Sequence, residues 1–414
     1  MAKIKYSALN FGIWRLWDFD SYASEITENQ VEYTFGATAE AAFGTYDPRD
    51  EPYRAVFLFE DAVFTSPTLE AATSGRITGF TLYDEADNIL VTGTELDGDL
   101  ADFLSLMSAG DGRAAMQALY TRGIAISGSA TNGRDPGDWQ GEVIQTGVFR
   151  DRVNAKDGDD IIFDYGGRDR YNGGDGFDTV SYQHYLDNPD LAERGINARL
   201  TSGTIMGPDG QLDEAYGIES VLGTMAEDRF SVAGNQTYYF VGYGGRDRFS
   251  GGWGKNDWVS YSEEAAAGGS SGINVKLDRN TIADSFGDRD YIRFVENIVG
   301  TDFDDRFRDD DSGIFHANFI GNAGNDRFSF QGGNDRAEGG TGADTFVYLG
   351  TDFDHDVIAD FETGIDRIQI KSAAAFSELT ITDSGADKVI TWGDNSVTLE
   401  GLAGTEIAEA DFIF

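Results

Sequence analysis

The aspartates of this chain recur at a spacing that suits the binding of metal ions. Asp326, Asp335 and Asp344 are nine residues apart, and an equally spaced triplet precedes them. A glycine stands two residues before each of these aspartates, and a residue able to pack inward stands two residues after it. Ca²⁺ takes about six to eight hard oxygen ligands, which carboxylates and the carbonyls of glycine-rich turns supply. The spacing therefore predicts several bound calcium ions.

The predicted metal-binding residues are the aspartates and glycines that keep this nine-residue phase. The aspartates are Asp160, Asp169, Asp178, Asp247, Asp257, Asp326, Asp335 and Asp344. The glycines are Gly158, Gly167, Gly173, Gly176, Gly242, Gly245, Gly251, Gly254, Gly321, Gly324, Gly333, Gly339 and Gly342. One inserted residue interrupts the unit at 251–259. Because both arrays keep the phase, the pattern indicates a repeat architecture.

The unit GGDGFDTVS at 173–181 shows how such a repeat folds. Six residues form a tight turn, in which glycine permits positive φ, and three residues form a short strand. Stacked turns bring aspartates and carbonyls of neighbouring coils around each ion, while one residue of each strand points inward. The chain is therefore predicted to be mostly β, with a parallel β-roll or β-solenoid of calcium-binding nonapeptides. The inward positions are Ile162, Tyr171, Val180, Phe249, Phe328 and Phe346.

The repeats also contain arginines and leave one alternative to calcium binding open. Arginine directly follows several of the aspartates, as in Asp169-Arg170 and Asp326-Arg327, and is expected to point outward. A metal-free solenoid, held by hydrogen bonds from the backbone to the aspartates, is the alternative to calcium binding. Against it stands the repulsion between unneutralised carboxylates stacked a few ångströms apart.

A longer duplication underlies the nonapeptide arrays. The segments 195–200 and 217–230 recur at 272–277 and 294–307. We therefore predict two repeat modules at 146–230 and 231–310, a C-terminal β-roll at 311–370 and a cap at 371–414. Residues 1–145 lack the glycine period and are predicted to form a small β-rich domain with two short helices, at 100–107 and 116–120. Its early aromatic residues suit either a sugar-stacking surface or a core.

The composition excludes several classes of function. The 414 residues include 73 acidic and 31 basic side chains, and the net charge of −42 argues against binding to nucleic acids or anionic membranes. The absence of cysteine excludes disulfides and thiolate metal sites. None of the three histidines belongs to an HExxH pair, and no apolar run is long enough to span a membrane.

From about residue 125 to 414, these motifs resemble RTX, or haemolysin-type, calcium-binding secreted bacterial proteins. The stretch 339–370 looks like the closing part of the β-roll in serralysin-type secreted peptidases, and the last residues, DFIF at 411–414, are similar to the terminal secretion signal of that group. The resemblance implies export by a type I secretion transporter and a secreted, extracellular or cell-surface location. Such export uses no cleaved N-terminal peptide, so the resemblance also accounts for the lack of an N-terminal signal segment. The tail 411–414 is expected to have no role in folding; the alternative is a last β-strand at the edge of a sheet, since Phe412 and Phe414 alternate with Ile413.

The leading functional hypothesis is a non-enzymatic, secreted calcium-binding protein whose C-terminal two-thirds folds on extracellular calcium. The chain departs from the serralysins because it has no zinc-peptidase motif, and it has no G-x-S-x-G nucleophile elbow. The first alternative is a cell-surface, matrix or adhesin-type protein that binds a surface glycan or protein through residues 1–145 or the excursions 186–217 and 262–290. The second alternative is an unrecognised hydrolase or lyase in residues 1–145.

Overall fold

The computed structural model describes residues 143–186, 194–252, 256–310 and 316–414, and the strands given below within residues 1–127. The two helices predicted at 100–107 and 116–120 lie outside the described residues, and so does Gly254 of the predicted metal-binding set. Within the described part of the chain, no helix has the length and apolar character needed to cross a bilayer.

The described secondary structure is almost entirely β. The strands before residue 186 are β1 Ala2–Tyr6, β2 Ser21–Ile26, β3 Gln30–Phe35, β4 Arg54–Phe64, β5 Ala72–Tyr83, β6 Ile89–Asp99, β7 Ile124–Ser127, β8 Val143–Gln145, β9 Arg152–Asp157, β10 Ile161–Phe163, β11 Arg170–Asp175 and β12 Thr179–Ser181. Those up to residue 300 are β13 Asn197–Arg199, β14 Thr204–Met206, β15 Leu212–Tyr216, β16 Ser220–Leu222, β17 Arg229–Ser231, β18 Tyr239–Val241, β19 Arg248–Ser250, β20 Trp258–Ser260, β21 Asn274–Lys276, β22 Thr281–Ala283, β23 Arg289–Arg293 and β24 Asn297–Val299.

The remaining strands are β25 Arg306–Arg308, β26 Asn318–Ile320, β27 Arg327–Phe330, β28 Arg336–Glu338, β29 Thr345–Tyr348, β30 His355–Ile358, β31 Arg367–Ile370, β32 Thr380–Ser384, β33 Asp387–Trp392 and β34 Asn395–Leu399. Helix in the described residues is limited to short 3₁₀ segments at Gln183–Tyr185, Leu200–Ser202, Leu277–Arg279, Phe376–Glu378 and Glu409–Asp411.

The chain divides into two compact units, of which the first comprises Met1–His184 and Ser202–Ser220. Its N-terminal strands pair antiparallel in the order β2-β3-β4-β5-β6-β1, and β1 then pairs in parallel with β7. From there the pairing is parallel, along β7-β9-β11-β15 in one sheet and β8-β10-β12 in the other. The coil repeat therefore begins within this unit.

The second unit comprises Tyr185–Thr201 and Val221–Phe414. One of its sheets runs β13-β17-β19-β23-β22-β21-β25-β27-β29-β31, in which only the pairings of β22 are antiparallel. The other runs in parallel along β18-β20-β24-β26-β28-β30-β34 and ends in the antiparallel strands β33 and β32. The predicted fold class, a mostly β parallel β-roll, is confirmed. The domain boundaries at 145, 230, 310 and 370 stay predictions.

The interior of the roll is a column of stacked side chains. All six predicted inward positions are buried. In the second unit Phe307 stacks on Phe328 with ring centroids 4.9 Å apart, and Phe328 stacks on Phe346 at 5.1 Å. Parallel strands in register place equal residues directly beside each other, so one aromatic position per coil produces a continuous stack. Arg170 and Arg327, which follow repeat aspartates, are exposed as predicted.

The last residues of the chain pack into the second unit, which favours the alternative of a strand edge over the expectation of no folding role for 411–414. Asp411 is 3% exposed, and its carboxylate accepts the N–H groups of Gly364 and Ala408, each at 2.8 Å. Phe412 is buried, and the N–H of Ile413 donates to the carbonyl of Ile368 at 2.9 Å. The tail therefore caps the end of the sheet at β31.

Candidate metal sites

The repeat aspartates stand at the end of each turn, immediately before the strand that follows it. All eight predicted aspartates are at most 3% exposed. Asp326 precedes β27 and Asp344 precedes β29, and these two strands are paired in register. Because the coils stack, aspartates of successive coils come to lie next to each other along one edge of the roll. The structure therefore divides the aspartates of an array between two rows, with Asp326 beside Asp344 in one and Asp335 beside Asp356 in the other.

In most of these aspartates, one carboxylate oxygen joins two coils. Oδ1 of Asp344 accepts the N–H of Asp326 at 2.8 Å, and Oδ1 of Asp178 accepts the N–H of Asp160 at 2.8 Å. Oδ1 of Asp335 accepts the N–H of Ala317 at 2.7 Å. These are the bonds from backbone to aspartate that the metal-free alternative predicts. They require a side chain as short as that of aspartate, because the acceptor must stay close to its own backbone.

The second carboxylate oxygen is left without a protein partner in most of the predicted aspartates. Oδ2 is buried and accepts no hydrogen bond in Asp178, Asp247, Asp326, Asp335 and Asp344. A buried carboxylate oxygen without a partner costs several kcal/mol in an apolar environment, about the cost of a lost charged hydrogen bond. A cation with hard oxygen ligands would satisfy this oxygen. The donor set therefore fits Ca²⁺, which the protein would hold through Oδ2 of the repeat aspartates.

Close packing against these carboxylates and against neighbouring coils explains why the turn requires glycine. A Cβ at the first glycine of a turn would collide with the carboxylate of the aspartate five residues later, as at Gly242 with Asp247 and Gly339 with Asp344. The fourth glycine of the turn has positive φ, which is +144° at Gly342, and a Cβ there would collide with the carbonyl oxygen of Gly324 in the preceding coil. The two glycine positions therefore let the aspartate fold back and let neighbouring coils approach.

Burial raises the pKa of these carboxyls, because it removes the charged form from water. The pKa of Asp178 and that of Asp326 are raised to about 8, and that of Asp344 to about 6, with the charge of neighbouring aspartates or glutamates adding to the effect of burial. Near neutral pH, burial of these carboxylates in their charged form, without a bound cation, is therefore unfavourable.

Two predicted aspartates differ from the others because both of their oxygens have protein partners. In Asp169, Oδ1 accepts the N–H of Asp151 and Oδ2 accepts the hydroxyl of Tyr171. In Asp257, which follows the inserted residue, Oδ2 accepts the N–H of Gly252 at 2.6 Å. These two are therefore weaker candidates for a turn site than the five with an unpartnered oxygen.

Other buried aspartates occupy equivalent places and were not predicted. Asp356 continues the row, since its Oδ1 accepts the N–H of Asp335 at 2.8 Å and its Oδ2 has no partner. Asp228 and Asp305 lie in turns that lack the glycine spacing. The signal that could have found Asp228 and Asp305 is the sequence Asp-Arg-Phe, which they share with Asp247 and Asp326.

Comparisons with known proteins add little to this description. No protein-family model matches the chain, and a search of curated proteins found no match. Among solved structures, the crystal structure of the extracellular lipase LipA from Serratia marcescens aligns with 13% sequence identity over 85% of this chain and 82% of that chain, with a TM-score of 0.19. The β-roll assignment therefore rests on the strand pairing and the turn geometry described above.

Proposed function

We propose that this chain is a secreted calcium-binding protein whose β-roll folds when it binds extracellular calcium after type I export. The observation that carries the proposal is the set of buried carboxylate oxygens without protein partners, which belong to Asp178, Asp247, Asp326, Asp335 and Asp344. Within the described residues, no lysine or arginine forms an ion pair with any of the five. A bound calcium ion would supply the missing positive charge.

The roll would act as a switch because its ligands come from different coils. The carboxylates are brought together only when the coils stack, so ion binding and folding are a single process. Calcium is scarce inside cells and abundant outside them, and binding to the folded state alone shifts the equilibrium toward that state. Export of an extended chain and folding on arrival are the consequence. Type I export itself is supported by the resemblance of the C-terminal region to the secretion signal of the serralysin-type group. Asp411 and Phe412 would then have two roles, in export and in capping the sheet.

Replacement of one repeat aspartate tests the proposal. Asp326→Asn keeps an oxygen that can accept the N–H of Asp305 but removes the charge offered to an ion. We expect a loss of affinity for calcium of about tenfold or more at that site, as for the loss of one charge-assisted contact. The measurement is a calcium-binding isotherm of the full chain. Asp394→Asn is the matched control, because Asp394 is exposed and outside the repeats. Equal isotherms for the two variants would contradict the assignment of repeat aspartates as ligands.

A second candidate function, a surface interaction protein, is favoured by a basic groove in the second unit. The groove has a volume of about 630 Å³ and combines arginines with other polar side chains and an aromatic ring. Its polar and aromatic lining includes Asn197, Arg199, Arg229, Ser231, Arg248, Ser250, Asn280, Tyr291 and Arg293. Four arginines in one groove are notable in a chain with a net charge of −42. Asn280 and Tyr291 lie within or beside the excursion at 262–290.

The arrangement of the groove suits a linear acidic polysaccharide. Arg229 and Arg248 are partners in register on β17 and β19, so they repeat at the strand spacing of about 4.8 Å. Arg248 also lies over the ring of Tyr291, 5.8 Å from its centroid. Glu227 pairs with both Arg229 and Arg248, at 2.9 and 3.7 Å, which leaves an excess of positive charge. Guanidinium groups bind carboxylates and sulfates through paired hydrogen bonds, and an aromatic face can stack on a sugar ring.

Removal of charge from the groove tests this second function. The double variant Arg248→Gln/Arg293→Gln is expected to lower affinity for heparin or polygalacturonate by about tenfold or more at low salt, because two charge-assisted contacts are lost. The two probes separate recognition of sulfate from recognition of carboxylate. The single variant Arg327→Gln removes an exposed arginine outside the groove and is the control. No binding by the wild type, or tighter binding to duplex DNA than to either polysaccharide, would overturn the assignment.

The third possibility, a hydrolase or lyase in residues 1–145, falls mostly on residues whose side chains lie outside the described part. The expectation that the chain is not an enzyme therefore stays a prediction.

A further inference from the structure

The first unit contains a group of three buried carboxylates that the repeat pattern does not account for. One carboxylate oxygen from each of Asp164, Asp169 and Asp213 lies within 4.8 Å of the others. The three residues are at most 3% exposed. Asp164 and Asp213 both stand outside the nine-residue phase of the repeat aspartates. Among the described residues, no lysine or arginine forms an ion pair with any of the three.

The hydrogen bonds around this group leave one buried oxygen unsatisfied. The hydroxyl of Tyr182 donates to Oδ2 of Asp164 at 2.9 Å, and that of Tyr171 donates to Oδ2 of Asp169 at 2.7 Å. Oδ1 of Asp213 accepts the N–H of Asp169 at 2.7 Å. Oδ2 of Asp213 accepts no hydrogen bond, although the residue is only 1% exposed.

The second module provides an internal comparison for two of these residues. The sequence YGGRDR at 165–170 recurs at 243–248. It is preceded by Asp164 in the first copy and by Gly242 in the second, and it is followed by Tyr171 in the first and by Phe249 in the second. A Cβ at Gly242 would lie 2.9 Å from Cζ of Phe249, so that interior has no room for a side chain there. Asp164 and Tyr171 therefore replace an apolar pair with a carboxylate and a hydroxyl.

The same comparison explains the unsatisfied oxygen. Asp290 corresponds to Asp213 in the duplicated sequence, and its Oδ1 likewise accepts the N–H of the repeat aspartate, Asp247, at 2.8 Å. Its Oδ2 accepts the hydroxyl of Tyr261 at 2.9 Å. Tyr182 is the counterpart of Tyr261, but it donates to Asp164 instead. The addition of Asp164 thus creates a third buried charge and also removes the tyrosine that satisfies the corresponding carboxylate in the second module.

We propose that Asp164, Asp169 and Asp213 bind a divalent cation that prefers oxygen ligands, at a site separate from those of the repeat turns. Three buried carboxylates without a cationic partner repel each other strongly, and an ion among them reverses the sign of that interaction. Calcium suits the spacing, because its oxygen ligands at about 2.3–2.6 Å stand about 5 Å apart across the ion. Asp213 makes the bond between coils that a repeat aspartate makes, but Asp164 stands where a repeat turn has its first glycine. The site does not depend on the function proposed for the repeats, since it includes none of the five repeat aspartates that carry that function.

A count of bound ions tests the site in the full chain. The measurement is the number of calcium ions retained per protein after removal of free calcium, by elemental analysis. Asp164→Asn keeps an oxygen that can accept the hydroxyl of Tyr182 but removes one of the three charges. We expect one fewer ion per chain and an unchanged circular dichroism spectrum. Asp278→Asn, which removes an exposed carboxylate, is expected to keep the wild-type number.

A second variant keeps the test decisive. Asp213→Asn preserves the oxygen that accepts the N–H of Asp169 and is also expected to lose one ion. Retention of the wild-type number of ions by both variants would overturn the proposal, while leaving the calcium sites of the repeat turns intact. If the repeat turns bind no calcium, the wild type would retain a single ion that both variants lose. That result would support the site and refute the function proposed for the repeats.

Discussion

Removal of calcium with an excess of chelator at about pH 8 is expected to abolish most of the β-sheet signal in circular dichroism, because the repeat carboxylates would then be buried, charged and unneutralised. Oδ2 of Asp178 and of Asp326 has no protein partner, so nothing else compensates for the lost ion. Readdition of calcium is expected to restore the spectrum in one cooperative step. A spectrum that is unchanged by chelation would favour the metal-free solenoid, in which the Oδ1 bonds alone hold the coils together.

The same experiment at lower pH separates loss of charge compensation from other effects of the chelator. The pKa of Asp178 and that of Asp326 are raised to about 8, and that of Asp356 to about 9, chiefly by burial. A raised carboxyl pKa favours the folded state while the group is protonated, so this stability is fully present below the ordinary pKa of about 4. It is lost as the pH rises through the folded-state values. The chelated protein is therefore expected to be more stable at about pH 5 than at about pH 8, and the opposite order would contradict burial as the cause.

The second large effect is a loss of stability, which we expect when a single methyl group is added in a turn. Gly342→Ala places a Cβ against the carbonyl oxygen of Gly324 in the preceding coil, at a φ of +144°. A backbone atom cannot move aside as a flexible side chain would, so two stacked coils must separate. We expect a loss of more than about 3 kcal/mol in the free energy of unfolding, above the cost of backbone strain alone. The measurement is denaturant unfolding of the full chain in calcium.

Gly350→Ala is the matched control for that variant. Gly350 also has positive φ, at +88°, but a Cβ there would meet no atom within 4 Å. Its loss of stability is expected to be about 1–2 kcal/mol, from backbone strain alone. Equal losses for the two variants would show that the close approach of coils at Gly342 is unimportant and that strain explains both.

The parallel β-roll could be predicted because its determinants are local and periodic. Glycine at the fourth turn position, aspartate at the sixth and an apolar or aromatic residue at the eighth each act on the coil directly above or below. Burial of Phe328 and Phe346, and exposure of Arg327, follow from the alternation of side chains along a three-residue strand. For Asp411 and Phe412 the sequence left both a secretion signal and a strand edge open, because a tail without the repeat carries no periodic signal that decides between them.

The sequence by itself determined the repeat, its turn chemistry and the burial of the aspartates that keep the nine-residue phase. Only the tertiary structure decided which of their oxygens remain for an ion. Asp169 and Asp326 occupy the same repeat position, yet Tyr171 satisfies Oδ2 of Asp169, while Oδ2 of Asp326 has no partner. Asp213 lies 44 residues beyond Asp169 in the chain and reaches it because β15 pairs with β11. A nine-residue period relates residues at a fixed distance along the chain. These contacts instead join residues from different coils and from an excursion, so their distances along the chain follow no period.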